Sequence, residues 1–189
     1  MDVTIIYCPP CGLREPAEQI ADALRQELGI TCRLKPGFWG TFRIECDGVL
    51  MSWAVPKGPS PDPAEKRLAV RTEDHPFDYA SFEGVIPPGQ YGAGEVIVWD
   101  CGVYSPDEEA SWVEDRAAAQ AQVLAGLEKG KVSIVLRGEK VKGSFALVRT
   151  KDQKTWLLIK HKDRFVSKAD VTARNRSVLS GIAVEQMKA

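Results

Sequence analysis

Residues 56–63 read PKGPSPDP, and these four prolines in eight positions constrain the chain more than any other stretch. Each proline removes a backbone donor, so the segment can be neither a helix nor a central strand. It separates two textures. Before it, Val3–Tyr7 is a short β-branched run that predicts a strand, and Pro9 and Pro10 end it. Residues 15–28 place Ala17, Ile20, Ala21, Leu24 and Leu28 at helical spacing, with Gly29 as the C-cap. Residues 30–34 and 41–45 read as strands with a Pro36-Gly37 turn between them. Asp47-Gly48 is the strongest hairpin signal, joining 42–46 to 49–55.

After the proline run come short strand candidates at 68–71, 95–99, 132–136, 145–149 and 155–160. Gly- and Pro-rich turns separate several of them. Many short strands with little helix predict a compact barrel or sandwich. The exception is 108–127, rich in Ala and Glu, which predicts a helix. Residues 169–181 are polar and weakly periodic, and read as a tail or linker. With 189 residues the chain can bury one good core or two small ones.

Charge is uneven although the net is -1. Residues 130–189 hold fourteen Lys/Arg against five Asp/Glu, while 48–129 hold six against fourteen. A basic final third fits a phosphate-rich partner if folding gathers it on one face, and a solvated surface otherwise. No run approaches the roughly 18 apolar residues of a membrane span. The N-terminus carries Asp2 where a signal peptide would be basic, which predicts a cytoplasmic protein. Five cysteines, an odd number, argue against a secreted disulfide framework.

Cys8 and Cys11 fall between a predicted strand and a predicted helix N-terminus. Unpaired N–H groups and the helix dipole favour a thiolate there, and the spacing lets the thiols close a disulfide. Thiol exchange, inert packing and half a metal site all remain open for this pair. Cys32, Cys46 and Cys101 read as packing residues. A second constellation lies in "RLAVRTEDHPFDYASFEGVIPPGQYGAG". His75, Lys57, Arg67 and Tyr79 are the types a phosphate processor needs, cations for oxygens and an imidazole for protons. The alternative for a His before Pro76 is a turn residue with one backbone hydrogen bond.

The stretch "VTIIYCPPCG…LKPGFWGTFRIECDGVL" resembles the selenoprotein-W-like, thioredoxin-like family over residues 2 to about 53. The family's closing helix is absent, which leaves a sheet face to be covered by something else. The pieces SWAVPKGPS, KRLAV, EDHP, DYASFEGVIP, GQYGAG and VIVWD, then LRGEKVKGSFALVR, WLLIKHKD and RSVLSG, resemble the DNA ligase D 3′-phosphoesterase domain family over about 42–181. That resemblance implies a small closed β-barrel and Mn2+-dependent trimming of 3′-phosphate or 3′-ribonucleotide DNA ends. It implies phosphate contacts for Arg43, Lys57 and Arg67. His75 would be a metal-side or proton-transfer group, Tyr79 would orient a phosphate oxygen, and Glu45 or Glu73 would support them. DNA or RNA–DNA 3′ ends, a DNA ligase and a Ku-like repair protein are the implied partners.

One departure bears on the chemistry. The family strand carries two His and an Asp as principal metal ligands. Here Arg33 and Trp39 stand near the His positions and Thr41 at the Asp position. None is a manganese ligand, so metal-assisted hydrolysis is expected to be weak or absent. His161 reads as a surface strand-end residue. Together the two resemblances predict a mainly β chain in which an N-terminal β-α-β-β thioredoxin-like unit shares a hairpin with the barrel. The units expected are 1–47 with the C-x-x-C, 48–168 as the phosphoesterase-like barrel, and 169–189 as a polar tail or linker. Three functions stay open: a phosphoesterase-like protein acting on or binding 3′ ends, a thiol–disulfide oxidoreductase using Cys8 and Cys11, and a non-catalytic nucleic-acid-binding adaptor.

Overall fold

The structure is a computed structural model and describes residues 3–7, 18–19, 21–23, 25–26, 32–36, 40–87, 89–90, 92–107 and 112–187. Cys8, Cys11 and Trp39 lie outside the described residues. Strand β1 (Val3–Tyr7) pairs in parallel with β2 (Cys32–Pro36), Val3 opposite Cys32 and Tyr7 opposite Pro36. A parallel pair needs a long crossover. Residues 18–19, 21–23 and 25–26 within that crossover are helical. This is the β-α-β start of a thioredoxin-like unit.

The main sheet holds eight strands. They are β3 (Gly40–Cys46), β4 (Val49–Val55), β5 (Lys66–Arg71), β6 (His75–Pro76), β9 (Gly102–Pro106), β10 (Lys131–Gly138), β11 (Lys142–Arg149) and β12 (Thr155–Lys160). Their order is β3-β4-β5-β12-β11-β10-β9, with β6 added to β4. Strands β7 (Gly84–Ile86) and β8 (Gly94–Val96) form a separate antiparallel pair. Asp47 and Gly48 both take positive φ, 51° and 78°, as a two-residue hairpin turn requires. The turn sets the register, so Arg43 pairs with Ser52 and Glu45 with Leu50. The proline run 56–63 is irregular throughout, as its missing donors dictate.

Alternation divides each strand between two faces. Ile44, Cys46, Trp53, Val55, Ala69, Ile134, Phe145, Leu147, Trp156 and Leu158 meet on the inner face. Val123 and Leu127 of helix α1 (Arg116–Lys129) close one side of that core. The helix begins eight residues later than the composition of 108–127 predicts. Asp115 caps it, accepting from the Ala118 N–H at 2.7 Å. Before the cap, Val113 donates its N–H to Ser105 Oγ and Trp112 stacks under Arg137, so tertiary contacts outweigh helix propensity. Cys46 packs in the core, whereas Cys101 is exposed and is not a packing residue.

The expectation of a closed β-barrel is overturned. The sheet is an open, strongly curled half-barrel whose ends are β3 and β9, with no ladder between them among the described residues. Side chains fill the seam instead. The Tyr104 hydroxyl on β9 donates to the Glu45 carbonyl on β3 at 2.5 Å. Arg116, at the start of α1, reaches the Glu45 carboxylate at 2.9 Å. The Glu45 carbonyl thus accepts a phenol from β9 where a closed barrel would place a backbone N–H. Burial pushes the Tyr104 hydroxyl well above its ordinary range, with Cys46 and Glu45 adding to the shift. It therefore stays a neutral donor across the seam.

Residues 169–187 lie against the body of the chain. Val178 donates to the Val98 carbonyl at 3.0 Å, and Ser177 is buried. Glu83 Oε1 accepts from the Val98 N–H at 2.8 Å. Burial would raise the Glu83 carboxyl, but the hydroxyls of Ser177 and Ser180 and the Val98 N–H outweigh it and hold it low. Among the described residues, no helix is long and apolar enough to cross a membrane.

A buried cation fixes the end of β12. The Lys160 side chain is 0% exposed and donates to the carbonyls of Ser144 and His161 and to Asp163 Oδ2. Burial would raise the Asp163 carboxyl, yet the Lys160 ammonium and the N–H groups of Ser144 and Phe165 hold it below its ordinary value. A depressed folded-state pKa stabilises above the unfolded value, about 3.9, and that stability is lost as pH falls through the folded value. Urea unfolding across an acid pH series should show stability falling below about pH 4, with a shallower fall in Asp163→Asn.

Candidate functional site

The hairpin and the short strand β6 bring one cluster together on the outer face. Arg43 stands on β3 and Ser52 opposite it on β4. His75 pairs with Leu50 on the other side of β4. The fully buried Ser52 hydroxyl donates to the Leu50 carbonyl at 2.9 Å and lies 3.3 Å from His75 Nδ1. A hydroxyl has one proton, so with it committed to Leu50, Ser52 accepts from His75 Nδ1–H. Nε2 is then the ring nitrogen left for a ligand.

Pro76 ends β6 and starts the 3-10 helix Phe77–Ser81, which carries Tyr79. Tyr79 stacks on His75, centroids 4.9 Å apart, and on Phe82 at 4.8 Å. The Arg43 guanidinium lies 5.4 Å from the Tyr79 ring centre. Burial pulls the Arg43 pKa down, with Tyr79 acting in the opposite sense, and arginine remains charged in either case. Its Nε is buried without a hydrogen-bond partner. A half-buried guanidinium with an unsatisfied donor is stabilised by negative charge brought near it.

Beneath the cluster, Arg71 Nη1 donates to the carbonyls of Ser52 and Thr72 at 3.1 and 3.0 Å and pairs with Asp74 at 2.5 Å. That brace fixes the backbone carrying Ser52. Ser52, Arg71 and Phe82 are absent from the sequence-predicted set. Ser52 had a usable signal, because a two-residue turn at 47–48 places position 52 opposite position 43.

The remaining predicted residues lie elsewhere. Lys57, exposed, and Arg67, half-buried, line a second cleft with Pro56, Glu65, Lys66 and Leu68. Arg67 Nη2 pairs there with Glu65 Oε2 at 2.5 Å. None of the contacts joining Arg43, Ser52, His75 and Tyr79 extends to that pair. Glu45 accepts from the Gly48 N–H and from Arg116, so it holds the turn and the helix start. Glu73 is exposed. His161 follows β12, with Nδ1 2.8 Å from Ser144 Oγ.

The donor set does not fit a manganese ion. Among the described residues no three His, Cys, Asp or Glu side chains come together. Thr41, on the same face of β3 as Arg43, brings only a hydroxyl, and His75 is the single imidazole of the cluster. Divalent manganese prefers carboxylate and imidazole ligands in higher number.

Two family matches together cover residues 2–149. Residues 2–72 match the Rdx family and residues 39–149 match the DNA Ligase D 3′-phosphoesterase domain. The chain is 51% identical over 146 residues to a multifunctional non-homologous end joining protein LigD of Pseudomonas aeruginosa, covering 74% of this chain and 16% of that protein. It is 44% identical over 116 residues to a LigD DNA repair protein of Mycobacterium tuberculosis, covering 61% and 13%. A LigD of Mycolicibacterium smegmatis is 43% identical over 127 residues, covering 65% and 15%. The match therefore spans less than a fifth of the length of these relatives. An Rdx region precedes and overlaps the larger match, and by the extent of the latter the chain belongs to the DNA Ligase D 3′-phosphoesterase domain family.

Proposed function

We propose that this chain binds DNA 3′ ends bearing a phosphate or a terminal ribonucleotide, with hydrolysis weak or absent. The observation that carries the reading is the half-buried Arg43 guanidinium, its Nε unpartnered, beside a His75 ring fixed by Ser52. A terminal phosphate brings two charges and several acceptor oxygens. Arg43 supplies N–H donors to them, His75 meets them through Nε2, and the Tyr79 hydroxyl supplies a further bond. Lys57 and Arg67 pair with a phosphate further along the strand. Glu73 is a supporting carboxylate at the rim of the site.

These groups bind and orient a phosphate, while phosphoester hydrolysis also needs water activated and developing charge neutralised by a positioned ion. A bound metal ion would supply that chemistry, and the donors for it are not assembled among the described residues. The relatives' names describe multifunctional end-joining proteins. A DNA ligase or a Ku-like end-binding protein is the partner class that this reading implies. A second reading, thiol–disulfide exchange by Cys8 and Cys11, is favoured by the Rdx match over 2–72 and the parallel β1–β2 pair.

Fluorescence anisotropy with primer–templates ending in 3′-phosphate or 3′-hydroxyl tests the first reading, with a gel assay for trimming in Mn2+. The phosphate end should bind roughly 100-fold tighter, as charge-assisted contacts of about 1.5–3 kcal/mol allow, and remain uncut. His75→Ala should erase most of the preference. Equal affinity for both ends would overturn end recognition. Mn2+-dependent trimming that His75→Ala abolishes would overturn the claim of weak hydrolysis.

A further inference from the structure

A second cluster sits at the tip of the β10–β11 hairpin, and its role rests on the 3′-end reading. Residues 137–142 read RGEKVK. Asp100 builds the tip: Oδ1 accepts from the N–H groups of Glu139 and Lys140 at 2.9 and 3.0 Å, and Oδ2 accepts from Val141 at 2.8 Å. A Cβ at Gly102 would collide with the Arg137 carbonyl, and one at Gly138 with the Asp100 carboxylate. The tip is therefore tightly packed, and the Asp100 charge is taken up by backbone donors.

Two indole rings flank it. The Arg137 guanidinium lies 3.6 Å from the Trp112 ring centre, and Lys140 Nζ lies 4.7 Å from that of Trp99. Trp99 Nε1 and Lys140 Nζ both donate to the Arg174 carbonyl, at 2.8 and 2.9 Å, and Lys140 also donates to that of Arg176. These bonds lay the chain beside the tip with the side chains of Arg174 and Arg176 exposed. Alternation points Arg137 and Lys142 to the outer face, the face that carries Arg43. Beside them, Val103 on the edge strand β9 is 60% exposed. Arg137, Lys140, Lys142, Arg174 and Arg176 thus belong to this tip with two tryptophans, against the Asp100 and Glu139 carboxylates, so the tip carries net positive charge.

We infer that this tip grips the single strand behind the bound 3′ end. A base stacks on Trp112, while Arg137, Lys142 and Arg174 pair with the backbone phosphates. Interleaved aromatic and cationic groups are what a sequence-tolerant single-strand track requires. Tyr104 on β9 touches Glu45 on β3, so the tip and the Arg43 cluster flank the same seam.

The test is anisotropy with single strands of about 4 and about 16 nucleotides, each ending in 3′-phosphate or 3′-hydroxyl, over a salt series. Lys142→Glu combined with Arg174→Glu changes only exposed side chains. It should weaken the long strand roughly tenfold and lower the salt slope by about 1.4, leaving the short strand unchanged. Trp112→Ala should weaken the long strand roughly tenfold with little change in slope. Thermal unfolding reports whether each variant is folded, and the charge-reversal pair stands on its own if Trp112→Ala is not. Long-strand affinity equal to wild type in the folded variants would overturn the inference. Loss of long-strand binding, together with equal short-strand affinity for 3′-phosphate and 3′-hydroxyl, would support the tip while removing the end-recognition reading.

Discussion

Replacing Trp53 with alanine is expected to destabilise the fold by about 4 kcal/mol. The side chain is 0% exposed, and it meets Trp156 edge-on at 5.9 Å between ring centres. The Arg71 guanidinium lies 4.7 Å above its ring. Alanine removes the largest side chain on the inner face, and neighbours held by a hydrogen-bonded sheet cannot collapse into the space. The loss would extend beyond packing. Arg71 loses its aromatic partner, and Arg71 braces the Ser52 carbonyl beneath the His75 ring. Denaturant melts should therefore show the full destabilisation, and the folded variant should also bind 3′-phosphate less well. Trp53→Phe, which keeps an edge-on aromatic pair, should cost markedly less. A loss under about 1 kcal/mol for alanine would mean that the inner face repacks freely.

Arg43→Ala is expected to weaken binding of a 3′-phosphorylated end by about 100-fold, because a charge-assisted hydrogen bond to a phosphate contributes roughly 1.5–3 kcal/mol. Affinity for a 3′-hydroxyl end should change far less. Arg43→Lys should recover only part of the preference, since an ammonium on a flexible stem cannot reproduce the guanidinium fork. The effect is specific because Arg43 gives its Nε to no protein acceptor, so little folding stability depends on that group. Lys57→Ala, in the second cleft, should reduce affinity for both ends alike and lower the salt slope by about 0.9 on a duplex end. Isothermal titration with both ends at two salt concentrations separates these outcomes. Equal losses at both ends for Arg43→Ala would assign Arg43 to the backbone rather than the terminus.

Local pattern carried much of the site. The Asp-Gly turn sets the β3–β4 register, and with it the pairing of Arg43 with Ser52. The strands at 3–7, 49–55 and 155–160 end where their apolar runs end. Strand β9 was harder to read, since Gly102 and Pro106 bound a run with little periodicity. The two-residue β6 is too short to have any period. The helix starts later than its composition predicts because Trp112 and Val113 follow tertiary partners rather than their Ala- and Glu-rich neighbourhood.

Residue identity alone determined that positions 33, 39 and 41 bring Arg, Trp and Thr, which no fold can turn into manganese ligands. It also determined where the chain turns and which side chains alternate, because those are properties of a few neighbouring residues. Only the tertiary structure decided that the sheet stops short of closing, that Arg43 and His75 both meet Tyr79 while Lys57 and Arg67 line a separate cleft, and that 174–176 lie along a basic tip. Closure depends on twist summed over all the strands between β3 and β9 and on what occupies the seam. Tyr104 and Arg116 fill it from 59 and 71 residues away from Glu45, a separation at which sequence periodicity carries no signal.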